Sequence, residues 1–102
     1  MLDRFANGDT SNDRANLKRD QAARMDTSQL GGMEAWRHGG DLRGLIGRLD
    51  YIADLGTDVI YLNPAFANTG SYHGYCTTDF TAIDAGFGTA SDFKEFVAGA
   101  HA

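Results

Sequence analysis

What most constrains the fold of this 102-residue sequence is a helical pattern that passes directly into a buried-strand pattern. Leu42, Leu45, Ile46, Leu49, Ile52 and Ala53 recur at three- and four-residue intervals, which predicts a single helical stripe beginning after Asp41 and ending at Leu55-Gly56. Gly56 suits the left-handed position after a helix terminus. Val59-Ile60-Tyr61-Leu62 is too short for a helix, and its β-branched, apolar character predicts a strand buried on both faces, as in parallel sheets covered by helices. Asn63-Pro64 ends it, because proline has no ladder donor and restricts the residue before it. Helix, glycine, buried strand and proline in this order form half of a βαβ unit, so the class is α/β.

A long loop over residues 65–90 follows the carboxyl end of that strand, the place where α/β folds build their sites. Its densest part is Ser71-Tyr72-His73-Gly74-Tyr75-Cys76-Thr77-Thr78-Asp79-Phe80. A flat aromatic ring can cover the apolar face of a pyranose while an imidazole bonds hydroxyls at the ring edge, and Gly74 lets the backbone turn so that His73 and Tyr75 share one space. From chemistry alone, the competing reading is that these rings pack against a neighbouring helix. Thr89 with Asp92 forms a capping box, and Phe93, Phe96, Val97 and Ala100 predict the apolar stripe of a second helix.

Upstream, Leu2 to Phe5 reads as extended, and Asn7-Gly8-Asp9-Thr10-Ser11-Asn12-Asp13 crowds side-chain oxygens into a short span. That run is a turn and helix cap, or a calcium loop, since Ca²⁺ takes six to eight hard oxygen ligands. Asp41 carries the same double reading of N-cap or ligand. Residues 14–37 are polar and weakly patterned, which predicts a surface loop; Trp36 and His38 near its end read as packed side chains.

Nine basic against fourteen acidic side chains, for a net charge of −5, argue against nucleic acid as a partner. No apolar run is long enough to span a bilayer, and the first residues are no signal peptide. Cys76, the one cysteine, excludes an internal disulfide and reads as a small, semi-buried side chain.

Taken in order and spacing, Tyr72-His73-Gly74-Tyr75, Thr78-Asp79-Phe80, Ile83-Asp84, Phe87-Gly88-Thr89 and Asp92-Phe93 resemble the loop after the second barrel strand in the α-amylase family of glycoside hydrolases. Asp3-Arg4-Phe5-Ala6-Asn7-Gly8-Asp9, Ser11-Asn12-Asp13 and Gly39-Gly40-Asp41 are similar to the calcium-holding segments of its cyclodextrin glycosyltransferase, neopullulanase and pullulanase-like members. The resemblance implies that residues 1–102 form the N-terminal part of a (β/α)8 TIM barrel catalytic domain, from the end of strand one through helix two. It also implies a structural Ca²⁺ held by the side chains of Asn7, Asp9, Asn12, Asp13 and Asp41 and the carbonyl of Gly39.

By the same resemblance, Tyr75 stacks on the sugar at the cleavage subsite, His73 bonds its hydroxyls and Tyr72 shapes the loop. The substrate would be an α-glucan or maltooligosaccharide, the partner the remainder of the barrel, and the address secreted or periplasmic. The family's paired carboxylates come from later strands, so no catalytic residue is assigned here. Asp79 and Asp84 read as turn and helix-start carboxylates, and the segment alone is expected to be inactive and either unstable or oligomeric. Two positions depart from the family pattern: Cys76 replaces a large aromatic, and Ala85 a proline. The alternatives are a non-catalytic carbohydrate-binding module and a calcium-stabilised structural domain.

Overall fold

The computed structural model describes residues 1–17 and 37–102, so most of the predicted 14–37 loop, including Trp36, lies outside the described residues. Its regular elements are α1 (Leu42–Ile46), α2 (Leu49–Asp54), β1 (Phe66–Asn68), β2 (Thr77–Ile83) and α3 (Ala90–Ala100), preceded by 3-10 turns at Leu2–Arg4 and Thr10–Asn12. One apolar core gathers Leu2, Leu42, Leu45, Ala65, Phe87 and Phe96, with Ile46, Leu49, Ile52, Ile60, Leu62, Ile83, Phe93 and Val97 packed on its margin.

The helical stripe is confirmed on all its positions but Ala53, which is exposed, and it is divided in two. At Gly47 and Arg48 the chain leaves regular helix: Arg48 has φ −117° and ψ 9°, and its N–H reaches the Leu45 carbonyl at 3.0 Å in a tighter three-residue turn. Glycine at 47 is a weak helix former, so the interruption falls where the backbone is cheapest to distort. Gly56 has φ +80°, as its place after the helix predicts.

The expected strand at Val59–Leu62 is not hydrogen-bonded as one. Ile60 and Leu62 touch the core, while Val59 and Tyr61 are 79% and 85% exposed. The alternation is that of a strand, but no described residue supplies a parallel neighbour to complete its ladder or cover its second face. Leu2 to Phe5 is likewise a 3-10 turn instead of an extended segment, because its polar groups turn onto residues 38–41: Asp3 O accepts from Gly40 N at 2.9 Å and Ala6 O from Asp41 N at 3.0 Å. Gly40 is required there, since a Cβ would stand 2.2 Å from the Leu2 carbonyl oxygen.

Residues 65–90 are not one irregular loop. β1 and β2 pair antiparallel, with Phe66 opposite Ile83 and Asn68 opposite Thr77, and Phe66 and Phe80 meet edge-to-face at 5.5 Å between centroids. This hairpin base holds the aromatic stretch. α3 begins with the predicted reciprocal cap between Thr89 and Asp92 and buries Phe96. Ala100, assigned to its inner stripe, is exposed.

α1 and α3 are tied at their surface by Arg43, whose Nε donates to Asp92 Oδ1 at 2.7 Å and whose terminal nitrogens reach the Glu95 carboxylate. For Asp92, partial burial opposes ionisation, but the Thr89 N–H and Arg43 outweigh it and hold the carboxyl below its usual range; Arg43 does the same to Glu95. Folded-state values below the unfolded ones mean that this stabilisation is present above about pH 4 and is lost as the pH falls through the lowered values. Arg43→Gln is therefore expected to be less stable than the wild type at neutral pH, with the gap closing in acid as both carboxylates protonate. Urea unfolding at neutral and at strongly acidic pH measures it.

Candidate functional site

The structure brings Tyr72, His73 and Tyr75 together. Tyr72 and His73 meet edge-to-face at 4.9 Å between centroids, and His73 and Tyr75 lie tilted at 5.7 Å. The turn between them rests on Gly74, whose φ is +81° and whose backbone presses on Pro64 so closely that a Cβ would stand 2.0 Å from the Pro64 carbonyl oxygen. His73 Nδ1 accepts the Tyr75 N–H at 3.0 Å, which makes Nε2 the hydrogen-bearing nitrogen of the neutral ring. Asn63 Nδ2 donates to the His73 carbonyl at 3.3 Å, and the Arg4 guanidinium lies 4.8 Å from the Tyr72 ring centre.

Tyr75 is 58% exposed and so keeps a ring face open to solvent. The nearby Tyr61 hydroxyl pushes its phenol above the ordinary value. Sequence reasoning missed Tyr61 by assigning it to a strand core. Its aromatic character in an otherwise aliphatic run was the available signal.

Beneath this rim lies a buried polar knot. Asp84, 1% exposed, accepts from Arg37 Nη1 at 2.8 Å, from Asn16 Nδ2, and from the N–H groups of Asn68 and Gly86. Arg37, assigned by its polar surroundings to a surface loop, is only 5% exposed. Its charge is matched by Asp84, which is what permits the burial. Asp79, by contrast, is exposed on β2 and held by the hydroxyl and N–H of Thr81, which lower its ionisation range. Neither carboxylate has the open, unengaged form of a proton donor or nucleophile. Cys76 is exposed, not semi-buried, because β2 begins at the hairpin surface; His38 is exposed too.

The oxygen-rich loop meets residues 39–41 as its spacing suggested. Asn7 Nδ2 donates to Asp13 Oδ1 at 2.7 Å, with Gly39 packed against both side chains. Asp41, fully buried, accepts four hydrogen bonds: from Gly8 N, Asp9 N, Asn12 Nδ2 and Gly44 N, at 2.8–3.2 Å. It is thus the N-cap of α1 and the tie between two distant loops. Asp9 turns its carboxylate onto Ser11. Asn12 Oδ1 is buried without a hydrogen-bond partner. Among the described residues no three His, Cys, Asp or Glu side chains gather into a metal-holding group, so a cation here would rest on amide and carbonyl oxygens as much as on carboxylates. A separate cavity of about 510 Å³ is lined by Leu49, Ile52, Phe96 and Val97 among others, and shares no residue with either cluster.

The catalytic domain of the α-amylases matches the chain over residues 1–102. The chain belongs to the α-amylase family. An amylopullulanase of Thermoanaerobacterium saccharolyticum is 42% identical over 119 residues, covering 98% of this chain and 9% of that protein. The periplasmic α-amylase of Escherichia coli K12 is 34% identical over 116 residues, covering 99% of this chain and 16% of that protein. The crystal structure of an Anoxybacillus α-amylase superposes with a TM-score of 0.77 at 42% identity, covering 99% of this chain and 20% of that one. This α-amylase-family segment thus spans a small part of its relatives' length, and its elements are an early piece of the (β/α)8 barrel. The unpaired stretch at Val59–Leu62 and the exposed Tyr61 fit that placement, since a barrel strand is covered by helices on one face and by neighbouring strands at its edges.

Asp41→Ala is expected to cost about 2–4 kcal/mol, of which the helix cap alone accounts for roughly 1 and the stranded N–H donors for the rest. Asp41→Asn, which keeps one acceptor oxygen, should cost less. Urea midpoints of the two variants test the order.

Proposed function

We propose that this chain forms one wall of the α-glucan site, and a calcium-stapled corner, in the barrel of a retaining glycoside hydrolase. The observation that carries the reading is the ring cluster of Tyr72, His73 and Tyr75 around Gly74, with an open Tyr75 face beside a hydrogen-bearing His73 Nε2. A glucose ring laid on Tyr75 would bury its C–H face, and the imidazole would donate to a ring-edge hydroxyl. Such contacts resist rotation of the sugar and help hold it in the flattened geometry that an oxocarbenium-like transition state requires. The proton donor and nucleophile of such a reaction would be carboxylates elsewhere in the complete barrel.

Asn7, Asp9, Asn12, Asp13, the Gly39 carbonyl and Asp41 would hold the calcium ion, and the unpartnered Asn12 Oδ1 supports a cation beside it. When bound, the ion supplies a cross-link between the first loop and the start of α1, and no chemistry. The names of the relatives, among them an amylopullulanase and a periplasmic α-amylase, support starch-like substrates and a secreted or periplasmic setting. Among the described residues no helix is long and apolar enough to cross a membrane.

In the full-length protein, His73→Ala should lower kcat on maltooligosaccharides by about 10- to 100-fold, and Tyr75→Ala should lower kcat and raise KM. Steady-state kinetics with a defined maltooligosaccharide decides this; unchanged constants for both would remove the sugar-contact role. Chelation should lower the melting temperature of the wild type, and that of Asn12→Ala by less; a wild-type melting temperature that chelation leaves unchanged would remove the calcium role.

A further inference from the structure

We propose that Arg37 is a positioning residue for the sugar-facing loop, acting through the carbonyl of Ser71; this rests on the reading of His73 and Tyr75 given above. The guanidinium is buried, and its donors reach three separate segments. Nη1 donates to Asp84 Oδ1 at 2.8 Å, Nη2 to Asn68 Oδ1 at 3.1 Å, and Nε and Nη2 both reach the Ser71 carbonyl, at 3.3 and 3.2 Å. Its face lies on the buried Phe87 ring, 4.4 Å from the centroid. Asp84 and Phe87 belong to the packed interior, so the plane of the guanidinium is fixed from below, and what it fixes above is the Ser71 peptide.

That peptide sets the direction in which Tyr72 and His73 leave the hairpin. Downstream, the His73 carbonyl is held by Asn63 and Gly74 is seated on Pro64. Tyr72 and His73 are therefore strung between two fixed points, and releasing the first lets both rings drift while the core beneath stays filled. A positive charge alone does not reproduce this. Lysine at position 37 can pair with Asp84, but a single ammonium cannot hold a carboxylate, an amide oxygen and a peptide carbonyl in one plane.

The test is a double-mutant cycle in the full-length protein, combining Arg37→Lys with His73→Ala and reading kcat/KM on a defined maltooligosaccharide. Arg37→Lys is expected to lower kcat/KM about 10-fold when His73 is present, and by less than about 2-fold in the His73→Ala background, because a residue acting through His73 has nothing left to position. Equal factors in the two backgrounds, or wild-type kinetics for Arg37→Lys, would overturn the proposal while leaving the sugar-contact reading intact. Wild-type kinetics for His73→Ala would instead overturn that reading, and this proposal with it. Should Arg37→Lys fail to fold by near-ultraviolet circular dichroism, the paired replacement Arg37→Gln with Asp84→Asn, which withdraws the guanidinium from the Ser71 carbonyl and leaves no unpaired buried charge, goes through the same cycle with the same deciding outcomes.

Discussion

The buried pair between Arg37 and Asp84 is the interaction on which the aromatic rim depends. Its two side chains are 3% and 0% exposed, and an ion pair so enclosed survives only if the remaining donors and lone pairs are also satisfied. They are: Asp84 takes further N–H groups from Asn16, Asn68 and Gly86, and Arg37 fills the acceptors of Asn68 and Ser71. The saturation draws the start of the chain, the segment before α1, the hairpin and the approach to α3 onto one point.

The same device recurs around the first turn and the start of α1. Asp3 accepts from the backbone of His38 and Gly39, and Asp41 from four N–H groups, so that with Asp84 three buried carboxylates lash the loops together at the margin of the apolar core. Among the described residues six buried apolar side chains form a small core, and loops that cross over it need polar ties to stay in place. Where those ties leave a polar atom unmatched, at Asn12, the proposed cation has its strongest support.

Periodicity made α1, α2 and α3 legible, because helical spacing reports which face is buried without reference to anything distant; even the Thr89–Asp92 cap could be read locally. The break at Gly47–Arg48 was visible only as the second of two glycines in the stripe, of which the first, Gly44, stays helical. Val59–Leu62 misled for the opposite reason: composition marks a strand that wants two covered faces, whereas hydrogen bonding requires neighbours that no described residue provides. The hairpin was hidden because its strands flank a run of turn formers and carry little alternation. At the site, His73 and Tyr75 could be named from aromatic content and resemblance. Arg37 could not, since a buried arginine in a polar stretch looks the same in sequence as a solvated one until its partner 47 positions away is in place.

A sugar is proposed to settle on the ring cluster that this polar knot holds in position. A crystal structure of the full-length protein with a bound maltooligosaccharide tests it most directly. The expected result is a glucose ring stacked on the open face of Tyr75, with one hydroxyl within about 3.2 Å of His73 Nε2. A sugar chain bound in the barrel with both side chains turned away from it would contradict the account.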